Sequence, residues 1–174
     1  AAIGDETINS YINIDDDSSG ISILGERVFY ASSTNFSTLV GENAGEFLTS
    51  TGNYNTAVGY GALSTSTTAD LVTAVGAYAL YGNTGSSNTA VGSWSMYSNT
   101  TGRYNVAVGD STLETNTSGD DNTAIGHYSL YTTDGGSDNT AVGSNSLYSN
   151  TNGSWNTAIG GGALYVNDTG DENT

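Results

Sequence analysis

Asn139-Thr140-Ala141-Val142-Gly143-Ser144-Asn145-Ser146-Leu147-Tyr148-Ser149-Asn150-Thr151-Asn152-Gly153 is one copy of a unit that recurs along most of the chain. The pattern is Asn-Thr-Ala-(Val/Ile)-Gly, two variable residues, a small residue, Leu, usually Tyr, then Asn/Thr/Ser and a second Gly. Good copies centre on Gly59, Gly76, Gly92, Gly109, Gly126, Gly143 and Gly160, at successive spacings of 17, 16, 17, 17, 17 and 17 residues. A fixed period this short is the signature of a solenoid. Each unit is one small supersecondary element that hides its apolar face only by stacking on its neighbours.

Within a unit, Thr-Ala-Val is β-prone, and strand alternation places Thr and Val on one face and Ala on the other. The Gly that follows suits a bend or a positive φ. The small-Leu-Tyr segment reads as a second short strand, and Asn-Thr-x-Gly closes the coil with turn chemistry. No stretch carries a 3.6-residue stripe, and the recurring Gly would each cost a helix about 1 kcal/mol. The expected fold class is all-β, a β-solenoid (parallel β-roll).

Stacking turns each repeat position into a column. Val58, Val75, Val91, Val108, Ile125, Val142 and Ile159 are expected to form one apolar column. Leu63, Leu80, Met96, Leu113, Leu130, Leu147 and Leu164 form a second, the two facing each other as a thin core. Asn55, Asn88, Asn105, Asn122, Asn139 and Asn156 are expected to form an amide ladder, which Val72 interrupts once. The column Ala57, Ala74, Ala90, Ala107, Ala124, Ala141 and Ala158 is small on every floor. One reading is a face where another protomer approaches closely and completes the core. The other is an internal corner with room for a methyl group only. The first is the favoured expectation.

The N-terminal part keeps the beat loosely. Ala2-Ile3-Gly4-Asp5 matches Ala107-Val108-Gly109-Asp110 in type, Ile23-Leu24-Gly25 precedes Phe29 and Tyr30, and Leu39-Val40-Gly41 opens a degenerate copy. Spacings from Gly4 through Gly25 and Gly41 to Gly59 are 21, 16 and 18 residues. The division expected is diverged capping coils over 1–52 and a regular solenoid over 53–174 with an incomplete last coil, about ten coils of 16–18 residues in all. Terminal repeats diverge because one of their faces meets no neighbour. The extra length after Gly4 holds the alternating stretch Tyr11-Ile12-Asn13-Ile14 and the turn-forming Asp15-Asp16-Asp17-Ser18-Ser19-Gly20.

Composition narrows the function classes. The chain has 174 residues, 24 Gly, no Pro and no Cys, and its 18 acidic residues against two basic ones (Arg27 and Arg103) give a net charge of −16. That balance excludes a basic nucleic-acid footprint and is repelled by an anionic membrane surface. Charged residues make up only 11% of the chain, and the apolar ones are periodic, so order is expected rather than an acidic disordered tail. No apolar run reaches membrane-spanning length, and without Cys there is neither a disulfide framework nor a thiolate metal site. The first residue is Ala1 rather than Met, as in a processed chain or a fragment.

Candidate chemistry is sparse. His127, the only His, follows Gly126 at a variable position without a paired nucleophile. No Gly-x-Ser-x-Gly elbow occurs, and Glu42 and Glu46, the nearest approach to a glycosidase carboxylate pair, sit in a degenerate coil. The chain is therefore not expected to be an enzyme. Acids cluster in the turns, and Asp120, Asp121, Asp134 and Asp138 offer the hard oxygen ligands that suit Ca²⁺, although solvated acids that keep a fibre soluble are the plainer reading. Tyr81, Tyr97, Tyr131, Tyr148 and Tyr165 share one column, with Ser64 and Glu114 interrupting, and Trp94 and Trp155 stand at variable positions. Such aromatics either stack on sugars or pack between coils and protomers, and packing is favoured. The Thr column (Thr56, Thr73, Thr89, Thr123, Thr140, Thr157) raises ice binding, but a flat ice face would carry paired Thr columns and only one is regular, with Val106 interrupting it. Asn-x-Ser/Thr occurs at Asn35, Asn99, Asn116, Asn152 and Asn167, as chance allows in so Asn- and Thr-rich a chain.

The repeat Asn-Thr-Ala-(Val/Ile)-Gly-x-x-(Ala/Ser)-Leu-Tyr-x-Asn-Thr-x-Gly resembles those of bacteriophage tail-fibre and related bacterial surface-fibre proteins. It is also similar to the Ala-Ile-Gly-x-x-(Ser/Ala) head repeats of trimeric autotransporter adhesins. The resemblance covers residues 53–174 well and 1–52 weakly. It implies a left-handed parallel β-roll, three chains around one axis, and a role in display or attachment outside the cell.

Asn173-Thr174 opens a coil that Ala1, Ala2, Ile3 and Gly4 of another copy could continue, because Ala1 placed after Thr174 sets Gly4 18 positions beyond Gly160. The expected function is thus a structural subunit or segment of an extracellular fibre, at a cell surface or on a virion, that self-assembles by stacking coils, as a trimer or a head-to-tail polymer. The alternative is an adhesin head that recognises surface carbohydrate. The expected partner is the chain itself, with no nucleic acid and no membrane insertion, and the only cofactor in view is Ca²⁺.

Overall fold

The computed structural model describes residues 13–14, 20–23 and 26–31 as strands and residues 36–174 throughout. All the described strands join in one eleven-stranded sheet whose spatial order follows the chain. The first three strands are β1 (Asn13–Ile14), β2 (Gly20–Ile23) and β3 (Glu26–Ala31). Then come β4 (Thr38–Val40), β5 (Thr56–Val58), β6 (Thr73–Val75), β7 (Thr89–Val91), β8 (Val106–Val108), β9 (Thr123–Ile125), β10 (Thr140–Val142) and β11 (Thr157–Ile159). From β4 to β11 every pairing is parallel and in register, with Val on Val or Ile throughout and Ala on Ala from β5 onward, Leu39 standing opposite Ala57 at the β4 end. One strand per coil, stacked in this way, is a β-solenoid of about seven turns, and no helix occurs among the described residues.

The strands before β4 do not continue the coils. β1, β2 and β3 pair antiparallel, with Ile23 opposite Glu26, and β3 runs antiparallel to β4 through Phe29–Val40, Tyr30–Leu39 and Ala31–Thr38. The described residues on either side of the coil expected at Gly25 thus belong to a meander that occupies one edge of the parallel stack, and Leu24 and Gly25 themselves lie outside the described residues. The described strands leave eight parallel rungs where ten coils were expected. The expected coil at Gly4 lies outside the described residues.

The sheet faces the opposite way from the expectation. Ala57, Ala74, Ala90, Ala107, Ala124 and Ala141 are fully buried inside the single chain, whereas Val91, Val108 and Ile125 are about two-fifths exposed, at 37%, 37% and 41%. The interior is narrow. Leu63, Leu80, Met96, Leu113, Leu130 and Leu147 fill it from the opposite wall and are themselves fully buried, so the strand wall has space only for a methyl group. The Ala column is therefore the internal corner rather than a surface for a protomer, and the Val/Ile column is outside rather than in the core.

The opposite wall is not a strand either. In the coil of β5 the backbone has positive φ at alternate residues, Gly59 (134°), Gly61 (63°) and Leu63 (55°). Ala62, Ser64 and Ser66 each donate their N–H three residues back, to Gly59, Gly61 and Leu63, at 3.3, 3.3 and 3.4 Å. The left-handed residues reach the neighbouring coils: the Leu63 N–H donates upward to Ala79 O at 3.0 Å and the Gly61 N–H downward to Glu42 O at 2.9 Å. A left-handed Leu costs roughly 1–2 kcal/mol. Burial of its side chain is worth about 1.5–3 kcal/mol, and the inter-coil bond adds to that, so the left-handed backbone recurs at Leu80, Met96, Leu113, Leu130, Leu147 and Leu164. Glycine is required where the coils touch. A Cβ on Gly76, at φ 135°, would lie 2.4 Å from Gly92 O, and one on Gly92 would lie 2.2 Å from Gly109 O.

Candidate functional site at the coil joints

What recurs on every floor is the joint between one coil and the next, and three side-chain columns make it. The first is the expected amide ladder. Asn88, Asn105, Asn122, Asn139 and Asn156 are fully buried. The Oδ1 of each accepts the backbone N–H of the Asn one coil on: Asn105 to Asn88 at 2.9 Å, Asn122 to Asn105 at 2.9 Å, Asn139 to Asn122 at 3.0 Å and Asn156 to Asn139 at 3.0 Å. Each Nδ2 donates to a turn carbonyl of the next coil, Asn105 to Gly119 at 2.8 Å, Asn122 to Gly136 at 2.8 Å and Asn139 to Gly153 at 2.9 Å. The side chain thus bonds both to the next strand and to the turn that precedes it. At the interruption, the Val72 N–H still donates to Asn55 Oδ1 at 3.0 Å, but Val72 has no oxygen to offer onward.

A second amide ladder, not foreseen from the sequence, runs three residues after the core Leu. Asn83, Asn99, Asn116 and Asn150 are fully buried. Asn99 donates to Asn83 Oδ1 at 2.6 Å, Asn116 to Asn99 Oδ1 at 2.8 Å, and Asn167 to Asn150 Oδ1 at 3.0 Å. Asn99, Asn116 and Asn150 each also close their own Asn-x-x-Gly turn, to Gly102 O at 3.0 Å, Gly119 O at 3.0 Å and Gly153 O at 2.8 Å, and Asn83 closes the one-residue-shorter turn to Gly85 O at 2.6 Å. Ser66 and Thr133 take the Asn place in two coils, and their buried hydroxyls have no hydrogen-bond partner among the described residues. The sequence signal was the Asn-x-x-Gly spacing, which was read as turn chemistry alone. Burial also removes Asn99 and Asn116 as accessible glycosylation sites in the folded chain.

The third column explains part of the acidic clustering. The Asp70, Asp120 and Asp171 carboxylates accept the N–H groups of Asn53, Arg103 and Ser154 in the preceding coil at 2.6, 2.7 and 2.7 Å. In the coils between, the Ser86, Ser137 and Ser154 hydroxyls accept from Asp70, Asp120 and Ser137 at 3.2, 3.0 and 3.1 Å.

The four residues weighed as a calcium site are distributed accordingly. Asp120 belongs to this column. Asp121 and Asp138 follow it at a positive φ of 57° in successive coils, with exposed side chains. Asp134 sits in a separate turn and accepts from the Thr117 hydroxyl. Among the described residues no three His, Cys, Asp or Glu side chains form a group that could hold a metal ion. His127 is exposed, 3.7 Å from the Asp110 carboxylate, and packs against Tyr128 with ring centroids 3.9 Å apart. Glu42 and Glu46 are exposed in the first coil.

Outward from the Leu wall, the Tyr column forms two stacks. Tyr81 and Tyr97 lie 5.3 Å apart at 13° between ring planes; Tyr131 and Tyr148 lie 5.2 Å apart at 21°, and Tyr148 and Tyr165 lie 4.9 Å apart at 2°. Tyr78 and Trp94 pack on the first stack and Tyr128 on the second. Glu114 separates the two, and its carboxylate, with partial burial and the neighbouring Tyr148 and Tyr128, raises the Tyr131 pKa above the ordinary 10.0. Loss of solvent among the rings, the hydrogen bond with Tyr60 and the nearby phenols Tyr60, Tyr81 and Tyr97 raise that of Tyr78.

At the far end of the stack, β11 is paired on one side only. Asn173 enters the first ladder, with its N–H donating to Asn156 Oδ1 at 3.0 Å and its carbonyl accepting from the Thr157 N–H at 2.7 Å. Thr174 is exposed beside it. Ala1, Ala2, Ile3 and Gly4, the expected partners of this end, lie outside the described residues. No helix among the described residues is long and apolar enough to cross a membrane. Comparison of the chain with protein-family models, with curated proteins and with solved structures returns no match.

Proposed function

We propose that the chain is a structural segment of an extracellular fibre that extends by stacking solenoid coils. The observation that supports this reading is the uniformity of the joint. The same backbone and amide bonds recur between coils, and β11 with Asn173 presents that set on an unpaired edge. Such an edge is a template for another chain. A second copy stacked on this edge would make a heterologous contact that does not close and so propagates. The likeness of the repeat to tail-fibre, surface-fibre and adhesin-head repeats, and an acidic surface that keeps a rod soluble, favour a place outside the cell. The glycan-binding alternative has less behind it, because the ring faces of the Tyr column lie against one another. Electron microscopy of the purified chain over a concentration series tests the reading. One chain contributes a rod of about 40 Å from eight parallel rungs. Filaments many times longer, shortened by Asn173→Ala, are the expected result, and a discrete particle at every concentration would overturn it.

A further inference from the structure

The geometry points to a modification site on the outer wall: Tyr131, Tyr148 and Tyr165, and separately Tyr81 and Tyr97, are placed for oxidative coupling into dityrosine staples between successive coils. This inference is independent of the fibre reading, since it concerns neighbours within one chain. The rings pair at centroid distances of 4.9–5.3 Å and interplanar angles of 2–21°, a stacked contact that sets each phenol beside its counterpart one coil on. The in-register stacking of β9, β10 and β11 holds the column in line. Tyr165 is 48% exposed and Tyr131 and Tyr148 are half-buried, so a small oxidant reaches the rings while the backbone cannot rearrange around them.

The chemistry requires an external one-electron oxidant, of the peroxidase type with hydrogen peroxide as final acceptor. Each phenol gives up one electron and one proton to become a phenoxyl radical. Two neighbouring radicals couple at the carbons ortho to oxygen, forming one C–C bond. The hydrogens on those two carbons shift to the oxygens, which restores both phenols. Each staple removes two hydrogen atoms from the chain, and peroxide is reduced to water. The structure also sets the selectivity. Tyr54 and Tyr104 are the more exposed, at 59% and 60%. Tyr54 has Phe36 as its stacked partner, and no aromatic ring packs on Tyr104 among the described residues, so neither has a phenol beside it among those residues.

The test is treatment of dilute chain with peroxidase and hydrogen peroxide, followed by dityrosine fluorescence and mass mapping of digested peptides. The expected products are monomeric chains linked Tyr131–Tyr148, Tyr148–Tyr165 and Tyr81–Tyr97, at a yield independent of protein concentration. Tyr148→Phe keeps the ring contact and lacks the phenol. It should lose both links of the second stack, retain Tyr81–Tyr97, and keep the circular dichroism of the parent. Tyr104→Phe should leave all three links. Links that appear only between chains through Tyr54 or Tyr104, or undiminished second-stack links in Tyr148→Phe, would overturn the assignment, as would the absence of any link.

Discussion

Each coil has two walls that alternate side chains in and out in the same way and yet are built oppositely. On the strand wall, Thr140-Ala141-Val142 is ordinary β-structure hydrogen-bonded to both neighbours, and its inward residue is a methyl group. On the facing wall, Gly143, Asn145 and Leu147 have φ of 132°, 56° and 46°, and the inward residue is a fully buried Leu. The strand wall supplies regular geometry with little apolar bulk; the turn wall supplies the bulk at the cost of left-handed backbone. Apolar side chains of similar appeal in the sequence, Val142 and Leu147, therefore carry very different weight.

The largest test of that difference is a pair of substitutions read by urea unfolding. Leu147→Ala opens a cavity in a wall with no slack and should destabilise by about 2–5 kcal/mol. Val142→Thr, which would bury an unpaired hydroxyl if the side chain faced inward, should change stability by no more than about 0.5 kcal/mol because it faces out. Comparable losses from both would break the distinction between the walls.

A smaller gain is expected where the turn wall meets the second amide ladder. Thr133 interrupts that ladder with a buried hydroxyl that has no partner among the described residues. Thr133→Asn would connect the Asn83–Asn116 segment to the Asn150–Asn167 segment and should stabilise the chain by about 1–2 kcal/mol, seen as a higher urea midpoint. An unchanged or lower midpoint would mean that the column tolerates the gap without penalty.

The smallest effect is one of pH and is confined to the turn wall. Tyr78 and Tyr131 have pKa values raised above the ordinary 10.0 in the folded chain, so the fold favours their neutral forms. The associated stability is fully present below pH 10.0 and is lost as the pH rises through the raised folded values. Alkaline titration should lower the thermal midpoint in this window, and Tyr131→Phe should lessen the drop. A midpoint indifferent to Tyr131→Phe would remove that residue from the effect.

The same comparison shows how much the sequence could reveal. The period, the strand at Thr-Ala-Val, the Leu column and the Asn55-to-Asn156 ladder were all legible, because each depends on recurrence or on alternation. The sense of the alternation was not. A period of two residues separates Ala from Thr and Val without saying which side is inside, and hydrophobicity favoured Val. The deciding fact is the width left beside Leu, which is a property of the closed coil. The turn wall was misread as a strand because Leu rarely adopts positive φ, and only the inter-coil bonds and burial make it do so here. Among the acids, Asp70, Asp120 and Asp171 looked alike with their neighbours in composition, and only stacking reveals that their partners are N–H groups 17 residues earlier.

The central claim is the inward Ala and the outward Val, since it fixes both the core and the surfaces left for contact. The chain has no Cys, so single cysteines report on individual positions without background. Under native conditions Val142→Cys, at a partly exposed position, should react readily with a thiol reagent, and Ala141→Cys, at a fully buried one, should be protected by orders of magnitude until the chain is unfolded. Equal reactivity at the two positions, or protection of residue 142 in place of 141, would contradict the account.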